Sequence, residues 1–136
     1  GVFKGYLGSS DLTDSVLTED GWFWTGDMGV FDPDGYLYLV DRIKDIVIVR
    51  GFNVYPAEVE DVLIEHPDVS GAIVVGNRDD LDGERVVAHV SGSATAEELD
   101  EHCRARLSRY KCPTEYNFVD DLPVAPTGKL IRRELR

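Results

Sequence analysis

Short apolar runs divide the chain into a series of predicted strands. Val30-Phe31 and residues 36–40 lie on either side of Asp32-Pro33-Asp34-Gly35, a sequence suited to a tight turn, and together they predict a β-hairpin. A β-branched run follows at residues 46–49, and the sequence from Arg50 to Pro56 is interpreted as a turn from this strand into a helix. Three further strands are predicted at residues 72–75, 85–90 and 116–119.

Helical signals lie between these runs. Pro56 suits the first turn of a helix, where its missing N–H costs nothing, and Pro67 ends that helix. Thr95 and Glu98 form a capping box that opens a second helix. The apolar stripes at helical spacing are Val59, Val62, Leu63 and His66 in the first helix, and Leu99, Cys103, Leu107 and Tyr110 in the second. A short basic helix is predicted at residues 129–136, after a loop at residues 123–128.

A charged cluster, Asp41-Arg42-Ile43-Lys44-Asp45, separates the hairpin from the elements that follow it. A dense run of charges between two strand-like segments is typical of an exposed connector, so we place a domain boundary there. The elements together predict an α+β fold. Residues 42–136 are expected to form a small domain with a three-stranded sheet and packed helices, and residues 1–41 a β-hairpin fragment that precedes it.

The formal net charge is −12 over 136 residues, which argues against nucleic-acid binding by the whole chain. The charge is uneven, because residues 1–100 carry 21 acidic and 6 basic side chains while residues 101–136 carry 5 and 8. The basic end indicates an anionic partner or, alternatively, a solvated helix face.

Two cysteines, Cys103 and Cys112, are too few for a disulfide framework, which favours a reducing, cytoplasmic location. No apolar run approaches the roughly 20 residues of a membrane helix, and no signal peptide is expected.

Three positions are candidates for ligand chemistry. Asp27, in Thr25-Gly26-Asp27, is suited to accept hydrogen bonds from the two hydroxyls of a ribose, or else is an ordinary turn aspartate. Lys129, after Pro126-Thr127-Gly128, could pair with a phosphate or carboxylate, or else is one more surface lysine. The glycine spacing of a phosphate-binding P-loop is absent there. Gly51 suits a positive φ or a close ligand approach, or else a plain connecting turn.

Other residue patterns indicate structural roles. Glu58 and Glu60 follow Pro56 in the first helical turn, where carboxylates suit the helix dipole, and both are interpreted as structural. The histidines and cysteines show neither C-x-x-C nor H-x-x-x-H spacing, so no metal site is predicted. No local signature of a Ser-His-Asp or Cys-His catalytic set is present.

Four segments occur in a fixed order along the chain: GWFWTGDMG at residues 21–29, DRIKD at 41–45, GFNVYPAEVE at 51–60 and PTGKLIRREL at 126–135. Together they resemble the closing third of the superfamily of acyl-CoA synthetases, adenylation domains and luciferases, from Lys4 to the last residue. The resemblance implies an enzyme whose large N-terminal domain, with its phosphate loop and acyl pocket, lies outside this chain. Residues 1–41 would be the tail of that domain with the start of the hinge, and residues 42–136 a mobile C-terminal lid.

The resemblance also implies a reaction and a set of site residues. Members of this superfamily make an acyl-adenylate and pyrophosphate from a carboxylate and MgATP, after which the lid swings and the CoA thiol attacks the adenylate. By position, the implied roles are ATP or AMP binding for Asp27 and Arg42, hinge for Lys44, the CoA path for Gly51 and Phe52, and catalysis of adenylation for Lys129.

The segment Gly51–Pro56 is most similar to the fatty acyl-CoA ligase branch, which favours a fatty acid or another apolar carboxylate as substrate. The expected partners are the enzyme's own N-terminal domain, the carboxylic acid, ATP and CoA, with Mg²⁺ held mainly by the N-terminal domain. The chain alone is expected to be inactive. Trp24 departs from the family, whose members commonly carry a basic residue or histidine before Thr-Gly-Asp. Two alternatives stay open: an enzyme that loads a carrier protein instead of CoA, and a stand-alone, non-enzymatic interaction module.

Overall fold

The computed structural model describes residues 3–123, 132 and 135. Its helices are α1 (Ser10–Val16), α2 (Pro56–Ile64) and α3 (Ala96–Arg104), and single 3-10 turns occur at Ile43–Asp45 and Arg109–Lys111. Its strands are β1 (Asp27–Phe31), β2 (Leu37–Arg42), β3 (Val47–Val49), β4 (Phe52–Val54), β5 (Val69–Asp79), β6 (Gly83–Gly92) and β7 (Glu115–Phe118).

The predicted hairpin is confirmed. Strands β1 and β2 pair antiparallel, with Phe31 opposite Leu37 at the turn and Asp27 opposite Arg42 at the open end. Asp32 Oδ1 closes the turn by accepting hydrogen bonds from the backbone N–H groups of Asp34 and Tyr36, each at 2.9 Å. The side chains of this hairpin are mostly exposed, so the strands have little core of their own.

The second sheet has five strands in the order β4-β3-β6-β5, with β7 pairing parallel to β6. The α+β class is confirmed, but the expected sheet of three strands was too small. Strand β3 joins the sheet through Val49 opposite Gly83, and β4 forms where a turn into a helix was expected. The reason is a tight turn at Arg50 and Gly51, whose φ angles of 51° and 84° reverse the chain and lay Phe52–Val54 beside β3.

Strands β5 and β6 extend beyond their predicted ends. Their ladder runs from Val69 opposite Gly92 to Asp79 opposite Gly83, so only residues 80–82 lie between the two strands. Asp79 Oδ1 stabilises this turn by accepting the N–H groups of Leu81 and Asp82 at 2.9 and 3.0 Å. The apolar pattern did not predict these longer strands, because their ends carry polar side chains. Pairing at such positions depends on the partner strand and not on the local apolar pattern.

Helices α2 and α3 pack on one face of the five-stranded sheet. Val59 and Leu63 of α2 and Leu99 and Cys103 of α3 are fully buried there. Pro56 opens α2 and the Thr95–Glu98 capping box opens α3, as predicted. Helix α3 ends at Arg104, so Leu107 and Tyr110 lie beyond the helix to which the apolar stripe assigned them.

The opposite face of this sheet carries a smaller cluster, in which Leu122 and Leu135 cover Ile73, Val75 and Val87. Helix α1 was not predicted, because none of its seven residues is buried and it has no apolar stripe. The predicted helix at residues 129–136 lies almost entirely outside the described residues. Among the described residues, no helix combines the length and apolar character needed to cross a membrane.

Candidate functional site

The open end of the β1–β2 hairpin brings Asp27 and Arg42 together. Their backbones are paired across the strands, and Arg42 Nε donates to Asp27 Oδ1 at 3.3 Å. The side chains are 31% and 43% exposed, so both groups remain accessible to a ligand. A carboxylate accepts hydrogen bonds from hydroxyls and a guanidinium donates them to phosphate oxygens, so the pair offers both kinds of contact at one place.

The turn that follows this pair is the predicted hinge. Lys44 lies in the single 3-10 turn Ile43–Asp45 with an exposed side chain. The backbone N–H of Ile43 donates to the carbonyl of Gly26 at 2.9 Å, which ties the turn to the Thr25-Gly26-Asp27 segment. An open cleft of about 350 Å³ is lined by Thr25, Gly26, Arg42, Ile43 and Lys44. Arg42 and the hinge candidate Lys44 therefore line the same cleft, and Asp27 is linked to it through its hydrogen bond with Arg42.

Three carboxylates surround the guanidinium of Arg132, and with it they form a group that we name the hinge cluster: Asp41, Asp45, Glu60 and Arg132. Arg132 donates to Glu60 in a bidentate pair, at 2.6 Å from Nη2 and 3.0 Å from Nε. Its Nη1 lies 3.8 Å from Asp41 and 3.7 Å from Asp45. The Asp41, Glu60 and Asp45 side chains are only 3%, 11% and 14% exposed, so these charges interact with little screening by water.

Opposing influences act on the charge of Arg132. Burial alone would lower its pKa, but hydrogen bonds to Glu60 and the charges of Glu60, Asp41 and Asp45 outweigh burial and raise the pKa of Arg132 above its ordinary value. Arg132 therefore keeps its positive charge within the hinge cluster. Because Glu60 Oε1 also accepts the backbone N–H of Val74 at 2.8 Å, the cluster fixes α2 to the outer edge of β5.

Asp41 also makes a second contact, to the start of α2. Its Oδ2 accepts the backbone N–H of Ala57 at 2.9 Å, while its Oδ1 accepts the N–H of Arg42 at 2.8 Å. The N-cap residue of α2, Tyr55, makes no side-chain capping hydrogen bond. A residue of β2, on the other side of the hinge turn, therefore supplies the capping interaction that the helix does not provide for itself.

Gly51 and Phe52 lie at the tip of the β3–β4 turn. The positive φ of Gly51 confirms the conformational need predicted for it, and a Cβ at this position would meet no atom within 4 Å. Phe52 is 57% exposed, and its ring lies 5.0 Å from the ring of Tyr110. A second cleft of about 360 Å³ lies beside this tip, lined in part by Arg50, Arg85, Arg109 and Tyr110.

The two cysteines belong to the core. Burial raises the pKa of the Cys103 thiol to about 11 and raises that of Cys112 as well. Both are free thiols, protonated at neutral pH, and therefore weak nucleophiles. Within the described part of the chain, no group of three or more His, Cys, Asp or Glu residues is arranged to hold a metal ion.

The structure thus brings Asp27 and Arg42 together, and it places Lys44 in the turn that follows Arg42. Gly51 and Phe52 lie at a separate turn, and Lys129 lies outside the described residues. Sequence reasoning missed the hinge cluster. It assigned Glu60 to the helix dipole, whereas Glu60 is buried and bound to Arg132 and Val74. A signal was present, because Glu60 falls four residues after Pro56 and three before Leu63, within the buried stripe of α2.

These features define a small α+β fold in which a 3-10 turn connects a strand pair that carries a carboxylate–guanidinium site to a five-stranded sheet with helices packed on it. A family model for the AMP-binding enzyme C-terminal domain matches residues 58–129, more than half of the chain, and the chain belongs to that family. The sequence is 45% identical to a long-chain-fatty-acid–CoA ligase of Bacillus subtilis, over 98% of this chain and 24% of the relative. It is also 45% identical to a 2-succinylbenzoate–CoA ligase of Bacillus cereus, over 99% of this chain and 28% of the relative.

Solved structures agree with this assignment. The o-succinylbenzoate CoA synthetase of Bacillus subtilis, in complex with its acyl-adenylate intermediate, superimposes with a TM-score of 0.92 at 38% identity, over 99% of this chain and 28% of that chain. ATP-bound MatB from Rhodopseudomonas palustris gives a TM-score of 0.91 at 38% identity and the same coverage. The chain therefore spans about a quarter of the length of the relatives it matches.

Proposed function

We propose that this chain is the C-terminal part of an ATP-dependent acyl-CoA ligase that joins a carboxylic acid to CoA through an acyl-adenylate. The observation that carries the proposal is the Asp27–Arg42 pair, set at an accessible site directly beside the hinge turn. The relatives named as CoA ligases, and the solved structures holding ATP or an acyl-adenylate, support this assignment. Residues 1–41 would belong to the large domain, and residues 42–136 would form the lid.

The proposed reaction has two steps. In the first, a carboxylate oxygen of the acid attacks the α-phosphorus of ATP, the bond to the β-phosphate breaks, and pyrophosphate leaves. In the second, the sulfur of CoA bonds to the acyl carbon, AMP leaves with the electron pair of the broken C–O bond, and the thiol proton passes to solvent. Mg²⁺ would accompany ATP and would be held mainly by the large domain.

The residues of this chain would act by binding and by offsetting charge. Asp27 would accept hydrogen bonds from the ribose hydroxyls, and Arg42 would donate to the ribose or the phosphates. Lys129 would lie between the carboxylate and the α-phosphate during adenylation. A cation there offsets the repulsion between two anions that must come within bonding distance.

The β3–β4 turn would guide CoA in the second step. The exposed Gly51 allows a ligand to approach the backbone, and the tilted Phe52–Tyr110 ring pair offers an apolar surface for the pantetheine chain. Arg50, Arg85 and Arg109 line the adjoining cleft and would attract the phosphates of CoA. Asp82 and Glu115 already pair with Arg50 and Arg85, which moderates that attraction.

The partner of the hairpin would be the rest of the large domain. Trp22, Trp24, Phe31 and Leu39 are each at least 70% exposed in this chain, an unusual concentration of uncovered large apolar side chains. A covering domain would remove these surfaces from water.

The buried, unpaired cysteines suit a reducing compartment, and we place the enzyme in the cytoplasm.

A fatty acid is our first choice of substrate, from the similarity of the Gly51–Pro56 segment to fatty acyl-CoA ligases. The acyl pocket would lie in the large domain, and relatives that act on fatty acids and on 2-succinylbenzoate are equally similar to this chain. The full-length enzyme should therefore be tested with MgATP and both substrate classes, with pyrophosphate release and acyl-CoA formation measured separately.

The site is tested by Asp27→Ala in the same enzyme. Loss of the ribose contacts should lower kcat/KM for ATP by about tenfold or more, because hydrogen bonds to a charged group contribute roughly 1.5–3 kcal/mol. Asp34→Ala, in the turn of the same hairpin, is the matched control and should leave kcat/KM unchanged. Absence of pyrophosphate release with every acid would refute the proposal. Transfer to a pantetheinylated carrier protein but not to CoA would favour the carrier-loading alternative.

A further inference from the structure

Asp41 links two parts of the molecule that the hinge turn separates. It lies in β2, before Lys44, while its partners Ala57 and Arg132 both come after Lys44 in the chain. Its side chain is 3% exposed, so both contacts are made away from water. Buried contacts of a carboxylate with a helix N-terminus and a guanidinium are stabilising in this arrangement.

These contacts depend on the orientation of the lid. If the chain pivots at Lys44, Ala57 and Arg132 move with the lid and Asp41 stays with the large domain. An N–H···O hydrogen bond is lost once the donor and acceptor are more than about 3.5 Å apart. The Asp41–Ala57 bond, now 2.9 Å, therefore belongs to one orientation only. The Arg132–Glu60 pair lies wholly within the lid and moves as a unit.

We infer that Asp41 is a positioning residue that holds the lid in the orientation seen here and so sets the balance between the two half-reactions. This inference rests on the proposed two-step function. When Asp41 is bound to Ala57 and Arg132, this orientation is favoured. When the lid turns away, the start of α2 loses its cap and Arg132 keeps Glu60 and Asp45 as partners. Asp41 itself touches no substrate in this account and acts through the lid.

Asp45 provides a matched control within the same cluster. It faces the same guanidinium at nearly the same distance, 3.7 Å against 3.8 Å for Asp41, and its side chain is 14% exposed against 3% for Asp41. It differs in its place in the chain, because it follows Lys44 and moves with the lid. Removing Asp45 should weaken the cluster in both orientations alike. Removing Asp41 should weaken the contacts of one orientation only.

The test measures both half-reactions on the same preparation of full-length enzyme. Adenylation is followed as pyrophosphate release without CoA, and thioester formation as acyl-CoA made from supplied acyl-adenylate and CoA. We expect Asp41→Ala to change the ratio of the two rates by about tenfold, the factor that corresponds to 1.4 kcal/mol. Asp45→Ala should leave this ratio within twofold of wild type.

Asp41→Asn keeps an oxygen that can accept the Ala57 N–H but removes the charge that faces Arg132. It should change the ratio in the same direction as Asp41→Ala, by about threefold, and it decides the question if Asp41→Ala does not fold. An equal loss in both half-reactions, an unchanged ratio, or an equal change in Asp45→Ala would overturn the inference. If wild type itself lacks one of the half-reactions, the proposed function fails instead.

Discussion

Glu60→Gln should destabilise the fold more than its small chemical change suggests. The buried carboxylate accepts three hydrogen bonds, at 2.6 and 3.0 Å from Arg132 and 2.8 Å from the N–H of Val74. An amide of the same shape retains one oxygen, so it cannot serve both Arg132 nitrogens and Val74, and it removes the closest countercharge of a buried cation. Breaking a buried ion pair costs about 3–5 kcal/mol.

Two features lower this estimate for Glu60. The Arg132 side chain is 22% exposed, and Asp41 and Asp45 continue to face it. We therefore expect a loss of about 2 kcal/mol in the free energy of unfolding. With a urea dependence of about 1.5 kcal/mol per molar, the unfolding midpoint should fall by about 1.3 M.

Far-UV circular dichroism is the suitable probe of urea unfolding, because both tryptophans lie in or beside the exposed hairpin and report little on the sheet core. Glu58→Gln is the matched control. Glu58 lies on the same helix and pairs with Lys111 at 2.7 Å, but its side chain is 40% exposed, so its loss should cost well under 1 kcal/mol. Equal midpoints for the two variants would refute the reasoning, because the buried Glu60 pair would then stabilise the fold no more than the exposed Glu58 pair.

Three further predictions concern other residues. Lys129→Ala in the full-length enzyme should slow adenylation roughly 10²–10³-fold, because a contact of about 3–4 kcal/mol is lost, and should leave thioester formation from supplied acyl-adenylate within a few-fold of wild type. Near-normal pyrophosphate release would remove Lys129 from the mechanism. Lys44→Pro, which fixes φ and removes an N–H, should preserve one half-reaction while overall turnover falls sharply, and unchanged turnover would exclude the hinge role. Burial lowers the pKa of His89 below its ordinary value despite the charge of Glu115, so the unfolded chain binds more protons below about pH 6.5 and stability should fall from pH 7 to pH 5. Urea midpoints of wild type and His89→Asn at both pH values check this, and an identical pH dependence in the variant would contradict it.

The elements that sequence reasoning predicted correctly are those whose signals are local. The turn residues Asp32–Gly35, the proline that opens α2 and the Thr95–Glu98 box each determine structure within a few positions. Strand β4 was missed because its pairing depends on a turn with positive φ at Arg50, a residue that seldom adopts that conformation. The hinge cluster was missed for a related reason, since Arg132 lies 72 residues from Glu60 along the chain and no periodicity connects them.

The two long helices on the sheet differ in the origin of their caps, and this difference bears on the hinge. Helix α3 is capped by its own Thr95 and Glu98, so the hydrogen bonds at its N-terminus do not depend on any residue across the Lys44 turn. Helix α2 receives its capping interaction from Asp41, across the turn that contains Lys44. A capping interaction is typically worth about 1 kcal/mol, enough to bias two orientations several-fold but too little to prevent their exchange. If Lys44 is the hinge of the proposed two-step reaction, a helix cap supplied from its far side is suited to a domain that has to occupy both orientations in turn.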